Sequence, residues 1–542
     1  MKSKKLSHGL DPFARAQNAQ TGQWHLAIRY RDPRGETLDH FIPSDVFGGP
    51  KLSGHLANLG IDMPAPGPER TQLLNDLRSA KPKKIVLITK RHGWQNEAYV
   101  TGHRVFNNKS QEKVYYDGPK PEQAAGTMEE WQREVAEPAG RSSLGIFAIC
   151  VALSPPLMRF TDVENGVFHV SGPSGAGKTT FLKVAESVWR NPEKLRSWDT
   201  SKPALNEQLE SRNDSFIAID EIGRASSSTT ELRGIIGAAA YLIGGGTPRS
   251  LSSRYTEDRP PFRVFAMSSG EVSATEIARR AGDARFAGEE ARLIDLDIAE
   301  LGKSIFDRLD AGDGNGAQAS LADGLNEAVK NQYGHAAPAF IARICKDTVA
   351  AAAEIEGYMH KFLNRVKVAD NGWERRIAKR FALVFAAGAL AAEWGVVPWR
   401  EIDVGKSVVR VYRAAQRSAR VDDSEKGSNI KDLSSRLDEA VTFKALKRLD
   451  THSVNGFLHD EGKGQVMIAT EVFDKLGDRH TPNALLNDLD NAEILVRGRG
   501  DRGSQRKFSS QRSVTWRDEV RRGYFYVFDE AKLHAWLKTA MA

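Results

Sequence analysis

The sequence predicts an α/β chain built around a helix-flanked parallel sheet, with a mixed α+β region before it and helical and smaller mixed regions after it. Three observations carry this expectation. Strand and helix patterns alternate between residues 160 and 300, a glycine-rich turn joins one such strand to one such helix, and the flanking regions lack that alternation. A length of 542 residues suits three or four units at roughly 150 residues each. Composition is that of a globular chain, 40% hydrophobic and 27% charged, and 47 Gly with 22 Pro exclude a collagen-like or largely disordered one.

Two cysteines, Cys150 and Cys345, cannot build a disulfide framework or a four-thiolate zinc site, so a reducing, cytoplasmic setting is expected. Lys2, Lys4 and Lys5 are followed by no apolar stretch, which argues against a secretory signal. The longest apolar runs, Leu144–Leu153 and Phe381–Ala392, fall short of the roughly 18 residues a membrane span needs, and no membrane partner is expected.

The first expected unit, residues 1–125, mixes strand-like runs (Trp24–Arg29, Lys84–Thr89) with turns at Phe47–Pro50 and Pro64–Gly67, and carries no catalytic motif. The second, 126–305, opens with a helix from Met128 to Val135, which Thr127 and Glu130 cap, and a helix Ser143–Leu153 that Pro155-Pro156 stops. The third, 306–420, is helical, Ala-rich and Arg-rich from about residue 316. A polar stretch, Val421–Asn429, reads as a linker. The fourth unit, 430–542, reads helix, helix, strand, basic turn, strand, helix. That order suggests a winged-helix module with Pro482–Leu489 as recognition helix. Nine Arg or Lys stand against three acids between Arg497 and Arg522, the footprint of a phosphate-backbone contact or of a solvated loop. Arg502, Arg506 and Lys507 are the expected duplex contacts.

The sharpest signal is Gly172-Pro173-Ser174-Gly175-Ala176-Gly177-Lys178-Thr179, which fits G-x-x-x-x-G-K-[ST] between a strand, Gly166–Val170, and a helix, Thr180–Trp189. Glycines let backbone N–H groups close on phosphate oxygens, and the helix N-terminus adds partial positive charge. This predicts a P-loop NTPase core that binds ATP and Mg²⁺. Lys178 is expected on the β and γ phosphates, the Thr179 hydroxyl on Mg²⁺, and Thr180 at the helix start.

A second buried run, Phe216–Ile219, ends in Asp220-Glu221, with Asp220 expected to hold Mg²⁺ and Glu221 to polarise the attacking water. A third, Phe262–Met267, ends in Ser268-Ser269, either of which could position that water at the tip of the strand beside the loop. Arg292, and second Arg285, are candidates to reach the nucleotide of a neighbouring subunit, the alternative being an ion pair with Glu289 or Asp295. Glycines and prolines bracket Gly244–Pro261, suiting a projecting hairpin whose Arg249 and Arg254 could touch a nucleic-acid backbone, or an exposed loop. No histidine stands at metal-ligand spacing, so no metal besides Mg²⁺ is expected.

Gly93-Trp94, the Gly126–Trp131 segment, the Gly172–Thr180 loop, Trp198, Asp220–Gly223, Ser268–Glu271, Glu290–Leu293, Tyr333–His335, Arg380–Leu383 and Gly395–Trp399 together resemble domain of unknown function family 927, over roughly residues 20–400. The family comprises helicases of plasmids, prophages and resistance cassettes, and is similar to AAA+ ring helicases of the mini-chromosome-maintenance and superfamily-three type. The resemblance implies an AAA+ core with a helical lid, a hexamer with single-stranded DNA in its pore, Arg292 at the finger position and Gly244–Pro261 at the pore hairpin. It also implies Arg376 or Arg380 as a lid arginine reaching the nucleotide in trans or in cis. Thr247-Pro248 departs from the more basic residues with which the family's hairpin begins, and pore gripping is less securely implied. Asp295-Leu296-Asp297 and Asp488-Leu489-Asp490 fit ordinary strand and helix positions, so primase activity is not expected.

The expected function is an ATP-dependent DNA helicase or self-loading replication initiator of a mobile element. The alternatives are a nucleotide-switched DNA-binding protein without unwinding and a defence-type sensor NTPase.

Overall fold

In the computed structural model, the residues described are 6–102, 104–107, 113–119, 123–247, 260–283, 285–302, 305–309, 316–368, 372–438, 441–443, 457–460, 463–473, 485–486, 489–490, 492–496, 509–516 and 519–540. The candidate nucleic-acid contacts Arg249, Arg254, Arg502, Arg506 and Lys507 lie outside them.

Apolar alternation near the start builds strands β1 (Asp11–Asn18), β2 (Trp24–Arg31), β3 (Thr37–Pro43), β4 (Ile85–Thr89), β5 (Gly93–Gln95), β6 (Ala98–Thr101), β7 (Arg104–Phe106) and β8 (Lys113–Tyr116). Five of them form one sheet in the order β3-β2-β1-β4-β8, and β5-β6-β7 form a small antiparallel one. Leu52, Leu56, Leu73 and Leu77, spaced for one helix face, press two helices onto Leu26, Ile28 and Ile42.

The central sheet contains β9 (Gly166–Ser171), β10 (Arg196–Ser197), β11 (Ser215–Asp220), β12 (Val264–Gly270) and β13 (Leu293–Asp297), ordered β10-β11-β12-β9-β13. All its pairings are parallel. Every residue of β9 and β12 is buried, as expected of strands covered on both faces. On one face Phe168, Val170, Phe216, Ala218, Phe265 and Met267 meet the Ser143–Leu153 and Lys178–Ser187 helices. On the other, Val167, Ile217, Ile219, Val264 and Ala266 meet the Thr229–Gly245 helix.

The helices that follow share the first of these cores. Phe381, on the Gly372–Glu393 helix, stacks on Phe147 at 5.4 Å and meets Phe168 edge-on at 5.3 Å. The stretch Val421–Asn429, expected as a linker, is instead part of one continuous 38-residue helix, Glu401–Asp438. It contains no proline, and Gly427 costs only about 1 kcal/mol, too little to break a helix anchored at both ends. Leu433 and Leu437 near its end enter a separate C-terminal core with Phe473, Phe528, Leu533 and Leu537.

That C-terminal region holds more strand than its sequence suggests. β14 (Val441–Phe443), β15 (Phe457–Asp460), β16 (Gln465–Ala469), β17 (Ser509–Trp516) and β18 (Glu519–Asp529) order as β14-β15-β16-β18-β17. Part of the expected basic turn is hairpin: Arg512 lies on β17 opposite Gly523, and Arg521 and Arg522 lie on β18. Of the expected recognition helix, the described residues 485, 486 and 489 are helical, and Leu485, Leu486 and Leu489 are buried.

The N-terminal region docks at the end of the central sheet where the strands begin. Asp214, fully buried just before β11, accepts from the Trp94 N–H at 2.9 Å and pairs with Arg263 Nε at 2.5 Å. The Tyr99 hydroxyl donates to the Asp214 carbonyl at 2.5 Å, and Trp94 Nε1 donates to Pro156 O at 2.9 Å. Gly93, at φ +85°, leaves no room for a Cβ against Asp214. No helix among the described residues is long and apolar enough to cross a membrane.

Candidate active site

Gly172–Thr179 joins β9 to the Lys178–Ser187 helix at the end of the sheet where parallel strands finish. Gly175 and Gly177 hold φ of +76° and +84°, conformations that cost residues with a Cβ, and these turns wrap the loop over the helix N-terminus. Pro173, Ser174 and Gly175 are exposed, and Ala176 and Gly177 half-buried. Lys178 Nζ lies within the loop, donating to Gly172 O and Pro173 O at 2.7 Å each. Thr180 is buried and its hydroxyl accepts from Asn326 Nδ2 at 3.0 Å, tying the helix start to the Ala317–Asn331 helix.

Thr179, Asp220, Glu221 and Ser269 converge beside this loop. Thr179 Oγ1 donates to Asp220 Oδ1 at 3.2 Å, and Ser269 Oγ donates to the same oxygen at 2.6 Å. The Glu221 N–H donates back to Ser269 Oγ at 2.9 Å. Glu221 has φ +54° and ψ 86°, a backbone state that L-residues rarely adopt and that concentrates at functional sites. Two hard oxygens, Thr179 Oγ1 and Asp220 Oδ1, thus face one point next to the loop, a donor set that fits Mg²⁺.

The two candidate serines separate. Successive side chains on a strand point to opposite faces. Ser269 therefore meets the acid pair, whereas Ser268 is fully buried on the other face, accepting from Trp198 Nε1 at 2.8 Å and lying 3.0 Å from His169 Nδ1. Of the two expectations, only Ser269 stays at the site. His169 Nε2 lies 3.0 Å from Val272 O, and burial lowers its pKa, so the ring is held neutral inside the sheet. Sequence reasoning missed this Trp198–Ser268–His169 network, because its members come from three different strands and segments.

The arginines gather at the opposite end of the sheet. Leu293 pairs with Val167 and Asp297 with Ser171, so Arg292, level with Gly166, stands six strand steps from Gly172, about 20 Å at 3.3 Å each. Its guanidinium lies 5.2 Å from the Tyr241 ring centroid and donates to Gly288 O at 2.7 Å. The acids considered as its partners are taken: Glu289 forms a bidentate pair with Arg233 at 2.6 and 2.9 Å, and Asp295 pairs with Arg285 at 2.9 Å. The structure thus shows the ion-pair alternative in place of the finger reading for Arg285. Its side chain is 2% exposed and also donates to Leu293 O and Glu289 O, so it fastens β13 and does not face a neighbour.

Arg380 is corrected in the same way. It is 1% exposed and donates to Asn165 O at 3.1 and 2.9 Å, with Glu164 Oε2 at 3.3 Å. Asn165 precedes β9 at the end away from the loop, so Arg380 cannot reach a nucleotide in its own chain. Burial pulls its pKa down to about 10. Arg376, one turn earlier, is exposed at this same end and likewise remote from its own loop.

The family model of domain of unknown function DUF927 matches residues 10–262. That span is shorter on its C-terminal side than the resemblance read from the sequence. No curated protein matches. A solved structure described as "SCCmec type IV Cch - active helicase" is 17% identical, covers 97% of this chain and 95% of that chain, and has a TM-score of 0.62. Nearly the whole fold is therefore shared. A second, "The A form apo structure of NrS-1 C terminal region-CTR", is 10% identical over 75% of this chain and 92% of that one, but its TM-score of 0.25 is too low to bear on the fold. The match to the family model thus runs from the N-terminal sheet through the Gly172–Thr179 loop and the Asp220-Glu221 pair.

Proposed function

We propose that the chain is an Mg²⁺-dependent ATPase of the AAA+ class, acting as a ring helicase or self-loading replication initiator of a mobile element. The observation that carries this reading is the convergence of Thr179, Asp220, Ser269 and Glu221 beside the Gly172–Thr179 loop. In this reading Lys178 leaves its loop carbonyls for the β and γ phosphates, and Thr179 with Asp220 holds Mg²⁺. The ion, when bound, neutralises charge developing on the phosphates. Glu221 orients and deprotonates the attacking water, and Ser269 fixes the acids relative to each other.

The position of Arg292 supports an assembly. An arginine some 20 Å from its own loop can serve hydrolysis only at a neighbour's, and Arg376 lies at the same end. A ring places those arginines against the next phosphate loop, with single-stranded DNA in the pore and the C-terminal module on duplex. Likeness to a structure described as an active helicase agrees with this reading.

The test is ATP hydrolysis by the full chain with and without single-stranded DNA, beside Lys178→Ala. Strong DNA stimulation that the substitution abolishes is expected. Lys178-dependent hydrolysis indifferent to DNA would retain the nucleotide site and remove the helicase reading in favour of a switch or sensor.

A further inference from the structure

A cleft of about 600 Å³ opens between the Glu401–Asp438 helix, the end of the Thr348–Val366 helix and residues 300, 301, 307 and 308. None of the phosphate-loop residues lines it. Six cations do, Arg308, Arg365, Lys406, Arg410, Arg413 and Arg417, against two carboxylates, Glu300 and Asp307. Four of the six recur at three- or four-residue spacing on one helix, which puts them in a row on one face. From Lys406 to Arg417 the row runs about 16 Å at 1.5 Å per residue.

Half of these cations build the wall. Arg410 Nε pairs with Asp307 Oδ2 at 3.0 Å, Arg417 Nε pairs with Glu300 Oε2 at 2.7 Å, and Arg308 faces Asp403 at 3.5 Å. Arg365, Lys406 and Arg413 are exposed and enter no ion pair among the described residues. Like charges held this close raise the local positive potential, and an anion between them relieves it.

We propose that this cleft binds the phosphate backbone of a single nucleic-acid strand, at a site separate from the pore segment and the C-terminal module. Two features favour a strand over a free nucleotide. Of the uncommitted cations, Lys406 and Arg413 stand seven residues apart on one helix, about 10 Å at 1.5 Å per residue, and Arg365 joins them from the neighbouring helix, a spread that matches phosphates along a chain. No aromatic residue lines the cleft, so it offers no platform for a base and reads the backbone without sequence preference. The cleft is also wired to the phosphate loop: Ile298 and Ile305, flanking the wall residues 300 and 301, pack on Gly172 and Gly177. A strand in the cleft would bear directly on the segment that covers the nucleotide loop.

This proposal deepens the nucleic-acid part of the function above and rests on it. The experiment is single-stranded oligonucleotide binding by the full chain, measured by fluorescence anisotropy over a salt series without nucleotide, for the unmodified chain and the R365A/K406A/R413A variant. Losing three phosphate contacts should reduce the slope of log K against log salt by about two, at roughly 0.7 per contact. An R413K variant should keep the parental slope, and an unchanged far-ultraviolet circular dichroism melt separates lost contacts from lost folding. Parental slope and affinity in the triple variant would overturn the proposal while leaving the ATPase reading intact. Weakened ATP binding with an unchanged oligonucleotide slope would also overturn it, assigning the cleft to the nucleotide. If the unmodified chain binds no strand at all, the proposed function itself fails.

Discussion

The two ends of the central sheet use polar residues in opposite ways. Where the strands finish, Thr179, Asp220 and Glu221 are partly open and are joined through buried Ser269 beside a loop of exposed backbone. Where they begin, Arg285 and Arg380 are sealed under the surface and bonded to carbonyls and carboxylates of their own chain. Arg292, half-buried and held by Gly288 O and the Tyr241 ring, and exposed Arg376 enter no ion pair among the described residues. One end gathers partly open polar groups around a loop; the other uses buried arginines to hold the chain together.

Substitutions can break that contrast. The largest effect is expected for Arg292→Ala, a fall in hydrolysis of about a thousandfold with ATP affinity kept, as for loss of an arginine finger. Mixing Arg292→Ala with Lys178→Ala subunits should restore part of the rate, since some shared sites then combine an intact loop with an intact arginine. Steady-state hydrolysis across mixing ratios checks this, and a strictly additive mixture would place Arg292 outside the site. Ser269→Ala should lower the rate roughly tenfold to a hundredfold with little change in melting. By contrast, Arg380→Ala should cost on the order of 3 kcal/mol in denaturant unfolding, because the Asn165 carbonyl and Glu164 lose their buried donor. Ser268→Ala should cost about 1–2 kcal/mol by leaving Trp198 Nε1 unpaired. A melting effect from Ser269 and a rate effect from Ser268 would reverse the assignment.

A smaller, pH-dependent term comes from the docking of the N-terminal region. Burial, then the nearby charges of Arg190 and Arg212, lowers the pKa of His92 from 6.5 to about 4. Between those values the unfolded chain binds the proton and the folded chain does not, so stability is full above pH 6.5 and is lost as pH falls towards 4. The loss is on the order of 3 kcal/mol at most. Melting of the unmodified chain against His92→Phe between pH 7 and pH 5 should diverge as the pH drops.

The phosphate-loop half of this picture was legible in the sequence because its residues are local: a contiguous loop, and acids and serines at strand ends. Which serine faced the acids was not legible, because strand alternation yields a face only once the register with neighbours is known. Arg285 and Arg380 misled for a related reason. Buried arginines look like functional ones in a sequence, and only the partners Asp295 and Asn165, supplied from elsewhere in the chain, distinguish them. The break expected at Val421–Asn429 failed because polarity alone does not end a helix. In the C-terminal region the short runs Val441–Phe443 and Phe457–Asp460 add strands that a helix-and-wing pattern does not anticipate.

The uninterrupted Glu401–Asp438 helix has a mechanical consequence. Its 38 residues span about 57 Å at 1.5 Å per residue. One portion carries the cation row beside residues 300, 301, 307 and 308, and the far end is embedded in the C-terminal core through Leu433 and Leu437. A stiff rod clamped at both ends converts a tilt of about 5° at its root into a displacement of roughly 5 Å at its tip. The helix thus ties the terminal sheet through one rigid element to the segment that touches Gly172 and Gly177, so that a tilt at one end is magnified at the other.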